Sequence, residues 1–174
     1  MKRIRRICLR WIPLLLVAML AGLGAATAPR PTLKPFGPGS LAVIREANRG
    51  RPFILAFWSL HCAPCKEDIV LLTAIHARYP QVPIALVAAD GPNEHAKVAR
   101  SLAPLRLGAI ESWAFADDFA ERIRYSVDPE WRGELPRAYF FEADHQAAGR
   151  SGVLDPAELD AWLVRVTRSK SPPR

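Results

Sequence analysis

Two patterns of apolar residues alternate along most of the chain. Continuous apolar runs predict strands, and apolar residues at helical spacing predict helices. Residues 52–58 and 82–89 are continuously apolar over the length of a strand, which is typical of strands buried on both faces of a sheet. Between them, apolar side chains recur at helical spacing after Pro64: Ile69, Leu72 and Ile75. The pattern therefore predicts a strand–helix–strand unit in the first half of the chain.

The same alternation continues in the second half of the chain. Further helices are predicted from Ser40 up to Gly50, over residues 94–102 and over residues 117–124. Two adjacent strands are expected at residues 137–141 and 147–154, whereas residues 105–116, with Ala114-Phe115, are compatible with either strand or loop. Strands that alternate with helices and then follow one another directly predict an α/β domain, with a central mixed sheet flanked by helices.

The last predicted helix has the clearest start in the sequence. Asp155 is placed as its N-cap, Pro156 occupies the first helical position, and Glu158 occupies the third. Apolar residues then follow at helical spacing: Leu159, Trp162, Leu163 and Val166. We therefore expect the domain to cover residues 40–168, with a basic tail at residues 169–174.

The first 28 residues have the order of an export signal. Five basic residues without an acid come first, and residues 11–28 then run without a charge to Ala26-Thr27-Ala28. This run also reaches the lower limit of length for spanning a bilayer, so residues 1–28 are a signal peptide or a membrane anchor. The basic end is expected to stay cytoplasmic while the rest of the chain crosses the membrane.

The net charge changes its meaning once this leader is set apart. The 174-residue chain carries a formal +7, which would ordinarily indicate nucleic acid or an anionic surface as a partner. The leader holds five of the basic residues, which leaves 19 Lys and Arg against 17 Asp and Glu in residues 29–174. Nucleic acid is therefore not expected as a partner. Residues 29–39 are rich in proline and predict an extended linker, part of which can pair as an edge strand.

Two of the three cysteines, Cys62 and Cys65, have C-x-x-C spacing between a buried strand and an amphipathic helix. The unpaired N–H groups and the positive dipole end of a helix N-terminus lower the pKa of a thiol there. Cys62 is therefore predicted to attack a disulfide as a thiolate, and Cys65, one turn inward, to resolve the mixed disulfide. Pro64 stiffens the loop at a position that needs no backbone donor.

Two structural alternatives fit this cysteine pair less well. A zinc knuckle needs four ligands, and the sequence has no second Cys pair. A purely structural disulfide that closes so short a loop stabilises little compared with one that closes a long loop. We therefore expect no bound metal, and no cofactor beyond a redox-active Cys62–Cys65 disulfide. Cys8 lies in the leader, before the apolar run, and is given no role.

The segment FWSLHCAPCK, residues 57–66, resembles the thioredoxin-like superfamily, and within it the TlpA/ResA/CcmG-like membrane-associated thiol-disulfide oxidoreductases. The resemblance covers about residues 36–167. It implies a thioredoxin-like fold, Cys62 and Cys65 as the catalytic residues, and a cis-Pro loop at Leu135-Pro136 that lies against them. The residues that it implies as support for this site are Trp58, His61, Pro64, Lys66, Leu135 and Pro136.

The same resemblance implies where the protein acts and on what. Such proteins are disulfide reductases on the periplasmic side of the bacterial inner membrane, anchored through residues 11–28 or soluble if the leader is cleaved. The implied partners are a disulfide-containing protein substrate, such as apocytochrome c or a copper-site assembly protein, and a membrane thiol electron donor. The direction of electron flow depends on the potential of the pair against its partners, so the residues leave it open.

The sequence departs from the family at two positions that matter for chemistry. Ala56 stands where thioredoxins carry a buried acid that helps to deprotonate the resolving cysteine, so the acceptor is water or another carboxylate, with Glu67 and Glu134 as candidates. His61 replaces the usual aromatic residue before the first cysteine. A protonated imidazole there would favour the Cys62 thiolate, and a merely exposed residue is the alternative. Trp58 is interpreted chiefly as core packing.

A function of a different class is the alternative hypothesis. His61, Cys62 and Cys65 would together hold a soft ion such as Cu(I) in a copper-binding or metallochaperone module. Copper-delivery relatives of this fold use a wider Cys spacing and a distant His. The redox function is therefore the leading hypothesis.

Overall fold

The computed structural model describes residues 31–168, so the predicted leader and basic tail lie outside the described residues. Six strands form one sheet: β1 (Lys34–Phe36), β2 (Phe53–Trp58), β3 (Ile84–Ala88), β4 (Glu111–Phe115), β5 (Arg137–Phe141) and β6 (Ala147–Ser151). The α-helices within this range are α1 (Ser40–Ala47), α2 (Cys65–Arg78), α3 (His95–Leu102), α4 (Ala120–Val127) and α5 (Pro156–Arg168). Between residues 31 and 168, no helix combines the length and the hydropathy needed to cross a membrane.

The sheet is mixed, as predicted, and its strand order is β1-β4-β3-β2-β5-β6. Strands β1 to β4 run parallel to one another, whereas β5 is antiparallel to both β2 and β6. In β2, Leu55 lies between Ala85 of β3 and Tyr139 of β5. Strand β2 is therefore central, and each of its six residues is buried.

The alternating side chains of β2 enter two separate cores, which explains why its sequence is continuously apolar. Ile54, Ala56 and Trp58 belong to the core that also holds residues of α2, α3 and α5, among them Ile69, Leu72, Val98 and Leu163. Phe53, Leu55 and Phe57 belong to the core on the opposite face, with Ile44 of α1 and Ile123 of α4. Helices therefore cover both faces of the sheet.

Four predicted elements differ from the structure or are decided by it. Part of the proline-rich segment forms the edge strand β1, and residues 111–115 are a strand rather than a loop. The helix expected at residues 117–124 begins instead at Ala120 and ends at Val127, because the Asp117 carboxylate accepts the Phe119 N–H (2.8 Å) and closes a turn before it. The strand expected to reach residue 154 ends at Ser151, where Gly152 adopts a φ of 88°.

The start of the last helix is as predicted. The Asp155 carboxylate accepts the Ala157 N–H at 2.8 Å, which satisfies one of the unpaired donors of the first turn. The apolar face of α5 is buried at the four predicted positions, Leu159, Trp162, Leu163 and Val166. This helix covers the face of the sheet against which α2, the helix that carries Cys65, also packs.

Candidate active site

Cys62 and Cys65 form a disulfide where β2 gives way to α2. Cys65 is the first residue of α2 and is fully buried, whereas Cys62 lies in the preceding turn and is partly exposed. The Cys62 N–H donates to the Ser59 carbonyl at 3.1 Å, which fixes this turn. A reacting molecule therefore reaches the sulfur of Cys62 more readily than that of Cys65.

The N-terminus of α2 is suited to stabilise a thiolate at Cys62. Its N-cap is Pro64, and no described side chain accepts a hydrogen bond from its first-turn N–H groups. Uncapped N–H groups and the positive end of the helix dipole favour an anion just before the helix. Cys62 therefore lies where the sequence predicts the attacking sulfur.

Asp90 fixes the loop that leads from β2 to Cys62. This residue follows β3 directly and is only 4% exposed. Its carboxylate accepts the Ser59 hydroxyl at 2.9 Å and the Leu60 N–H at 3.1 Å. Asp90 is not among the site residues that the sequence predicts. Its role was indicated by its position, because neighbouring parallel strands bring their carboxyl ends, and the residues that follow them, to the same edge of the sheet.

The Leu135-Pro136 peptide bond is cis, in the loop before β5 where the resemblance implies a cis-Pro. The Pro136 carbonyl accepts the Gly152 N–H at 2.9 Å, which joins this loop to the end of β6. Leu135 is partly buried and contacts both cores, and Cys62 contacts the core on the α2 face. The cis-Pro loop and the cysteine pair therefore share one packed core.

A polar cluster around Arg137 holds the cis-Pro loop from its other side. The Arg137 guanidinium donates to Asp128 at 2.7 Å, to Ser151 at 2.6 Å and to the Tyr139 hydroxyl at 3.0 Å. Burial acts to raise the pKa of Asp128, but hydrogen bonds from the Glu130 N–H, Tyr139 and Arg137 lower it overall. This cluster ties the segment before Pro136 to β5 and β6.

Glu134, one of the predicted proton acceptors, belongs to this cluster. Its carboxylate accepts the Ser151 hydroxyl at 2.8 Å and lies 3.4 Å from the Arg137 guanidinium. Burial acts to raise its pKa, yet hydrogen bonding, including that from Ser151, and the charge of Arg137 lower the pKa overall. A carboxylate held in its ionised form in this way is a weak base. The second predicted acceptor, Glu67, is exposed on α2.

Asp68 is a buried acid that the sequence analysis missed. It lies three residues after Cys65 on α2, so the two side chains share one helix face with their Cβ atoms about 5–6 Å apart. It is 5% exposed, and its carboxylate accepts the Leu154 N–H at 3.1 Å. Burial raises the pKa of Asp68, although the Leu154 N–H acts to lower it. The sequence carries one signal for this buried acid, which is that Asp68 is a polar residue within the apolar stripe of α2.

The other predicted support residues differ in their exposure. Trp58 is 3% exposed and belongs to the core, as interpreted, and its indole N–H has no hydrogen-bond partner among the described residues. Lys66 and Pro64 are exposed at the start of α2. His61 is exposed too, with its Nε2 3.2 Å from a carboxylate oxygen of Glu94.

Comparison with known proteins identifies the fold of this domain. No protein-family model and no curated protein matches the sequence. DsbF of Mycobacterium tuberculosis superposes with a TM-score of 0.56 and 16% identity, over 70% of this chain and 84% of its own. A secreted disulfide oxidoreductase of the same organism gives 0.53 and 19%, over 69% of this chain and 85% of its own.

A third solved structure agrees with these two. The thiol:disulfide interchange protein of the thioredoxin family from Chlorobium tepidum gives a TM-score of 0.57 and 14% identity, over 70% of this chain and 83% of its own. At such low sequence identity, the similarity in backbone structure establishes the fold. The chemistry depends on the residues of the site itself. The fold is thioredoxin-like, which confirms the prediction from the sequence.

The raised pKa of Asp68 predicts a pH-dependent gain in stability for Asp68→Asn. Because the folded state holds this proton more tightly than the unfolded chain does, ionised Asp68 destabilises the fold as pH rises above the ordinary value of 3.8. The asparagine stays neutral and its amide oxygen can still accept the Leu154 N–H. Urea unfolding of the full chain at about pH 4 and about pH 7 should show the variant gaining free energy of unfolding, relative to the unsubstituted protein, as pH rises.

Glu67→Gln is the matched control for this experiment, since it removes an exposed carboxyl from the same turn of α2. Its free energy of unfolding should follow that of the unsubstituted protein more closely across the same pH range. The assignment of a raised pKa would be contradicted if the difference in free energy of unfolding between Asp68→Asn and the unsubstituted protein stayed constant with pH. It would also be contradicted if the variant lost free energy of unfolding, relative to the unsubstituted protein, as pH rises.

Proposed function

We propose that this thioredoxin-like domain is a thiol-disulfide oxidoreductase that reacts with protein disulfides through Cys62. The observation that carries the proposal is the Cys62–Cys65 disulfide at the uncapped N-terminus of α2, with one sulfur accessible and the other buried. This asymmetry matches the two roles that the chemistry needs, an attacking thiol and a resolving thiol.

The reaction begins with the pair in its reduced form. The Cys62 thiolate attacks one sulfur of the substrate disulfide, a Cys62–substrate disulfide forms, and the other substrate sulfur leaves as a thiolate and takes a proton. The Cys65 thiolate then attacks the sulfur of Cys62, the mixed disulfide breaks, and the second substrate thiol is released. Two electrons pass to the substrate, and the protein is left with its Cys62–Cys65 disulfide.

Asp68 is the acceptor that this scheme needs for the proton of Cys65. Burial raises the pKa of a thiol, so a fully buried Cys65 requires a base within the fold. The buried carboxyl of Asp68 lies on the same face of α2, and its raised pKa makes it a stronger base than an ordinary aspartate. It supplies from the helix the acid that Ala56 does not supply from β2.

The setting in which the enzyme works follows from the leader and the family resemblance. The export-type order of residues 1–28 supports a place on the periplasmic side of the bacterial inner membrane. There the pair would act as a reductant, recharged by a membrane thiol donor, on disulfides of proteins in cytochrome c or metal-site maturation. The copper-binding alternative stays a prediction. Among residues 31–168, no contact favours it.

Cys62→Ser is expected to abolish catalysis of insulin reduction by dithiothreitol. The serine hydroxyl does not attack a disulfide under these conditions, because the thiolate is the reacting species. Precipitation of the insulin B chain, in metal-free buffer with the full chain, measures the rate. Cys8→Ser is the matched control and should keep the rate of the unsubstituted protein. An unchanged rate in Cys62→Ser would exclude Cys62 as the attacking thiol.

Asp68→Asn is expected to slow resolution of a mixed disulfide by on the order of 100-fold, the range of a lost general base. The protein is prepared with glutathione linked to Cys62 and Cys65 in its thiol form, and the release of glutathione is followed by quenched flow and mass spectrometry. The rate should regain much of its value at higher pH, where solvent takes the proton from Cys65.

Glu67→Gln and Glu134→Gln test the two rival acceptors in the same assay. Both should resolve the mixed disulfide at close to the rate of the unsubstituted protein, since Glu67 is exposed and Glu134 is held by Ser151 and Arg137. If either of them slows the reaction more than Asp68→Asn does, Asp68 is not the acceptor.

A further inference from the structure

Three side chains of metal-ligating type converge beside the active-site loop: His61, Asp90 and Glu94. Each offers one ligand atom, and the three atoms lie within 4.8 Å of one another. His61 Nε2 lies 3.2 Å from Glu94 Oε2. Among residues 31–168, no other group of three His, Cys, Asp or Glu side chains meets this geometric condition.

The fold brings these residues together from two loops at the same edge of the sheet. His61 lies in the loop between β2 and α2, one residue before Cys62. Asp90 follows β3, and Glu94 ends the 3-10 turn Pro92–Glu94 that leads into α3. Since β2 and β3 are parallel neighbours, the loops that follow them lie at the same edge of the sheet.

Hydrogen bonds hold the carboxylates of Asp90 and Glu94 and the backbone of His61, as outer partners do in metal sites. The Ser59 hydroxyl donates to Asp90 at 2.9 Å and accepts the His61 N–H at 3.1 Å, so one side chain positions two of the three residues. Lys97 donates to Oε1 of Glu94 at 3.2 Å and leaves Oε2 turned to His61. Asp90 is nearly fully buried, so its carboxylate is held in one position.

The charge around the cluster favours a cation. A third carboxylate, that of Asp118, lies beside the loop between Asp90 and Glu94, so close to Gly91 that a Cβ at position 91 would overlap it. The three carboxylates have one ammonium group against them in the described contacts of the cluster, that of Lys97. Gly91 therefore makes room for a further negative charge next to the Asp90 loop.

We propose that His61, Asp90 and Glu94 bind a divalent transition-metal ion, and that zinc is the ion that fits best. Zinc accepts one imidazole nitrogen and two carboxylate oxygens as three protein ligands, with water as the fourth. Magnesium and calcium prefer sites made of oxygen alone, and Cu(I) prefers sulfur. The ligand set shares only His61 with the copper-binding hypothesis, since the site uses no thiolate and forms while Cys62 and Cys65 are joined.

The bound ion would link the loop that carries Cys62 to the loop between β3 and α3. An ion that binds the folded state and not the unfolded chain stabilises the fold by an amount that grows with the logarithm of its concentration relative to its dissociation constant. The site therefore predicts a zinc-dependent rise in melting temperature for the oxidised protein. This inference does not rest on the redox activity, because both of its readouts are measured without a disulfide substrate.

The test is zinc binding by the oxidised full chain in a Cys8→Ser background, in which no free thiol competes for the ion. Titration calorimetry should give one zinc ion per chain, and the melting temperature should rise with zinc concentration. His61→Ala and Glu94→Gln should each weaken binding at least about tenfold and remove the thermal shift. Ser59→Ala should weaken it roughly tenfold, because it frees Asp90 and the His61 backbone.

Glu121→Gln is the matched control for Glu94→Gln, since it removes an exposed carboxylate from α4 and should leave binding unchanged. Cobalt bound in place of zinc should show visible absorption without a thiolate charge-transfer band, which separates this site from one made by cysteines. Failure of the oxidised protein to bind zinc, or binding that survives either His61→Ala or Glu94→Gln, overturns the proposal.

Discussion

Burial of β2 on both faces is the constraint on which the rest of the site depends. The strand lies between β3 and β5, its side chains fill two cores, and the chain leaves the sheet after Trp58. The turn that follows is then short, and α2 must begin close to the end of a buried strand. For this reason Cys65 is fully enclosed, whereas Cys62, still in the turn, keeps an open side.

The carboxylates near this turn have different chemistry because their surroundings differ. Asp68 has one backbone donor and a buried environment, so its pKa is raised. Glu134 is ionised more readily than usual, since Ser151 and Arg137 surround it. Asp90 has a third role, because its hydrogen bonds from Ser59 and Leu60 fix the loop before Cys62. Sequence distance from the cysteines predicts none of these differences.

Local signals in the sequence were sufficient for much of the fold and for the two cysteines. The apolar run of β2, the C-x-x-C spacing and the cap at Asp155 each depend on residues close together in the chain, and each is found where it was predicted. The start of α4 was displaced because the turn closed by Asp117 competes with helix formation. Asp68 was missed because its hydrogen-bond donor, the Leu154 N–H, lies 86 residues later in the chain.

The most direct test of Cys62 as the attacking thiol is covalent capture of a substrate by the full chain with Cys65→Ser, expressed in its native membrane. Without the resolving thiol, the mixed disulfide should persist after free thiols are alkylated. Mass spectrometry should then find partner proteins linked through Cys62 and released by dithiothreitol. The same preparation from the Cys62→Ser, Cys65→Ser double variant should hold none. If Cys65→Ser is expressed normally and carries no covalent partner, or carries partners only through Cys8, the account is contradicted.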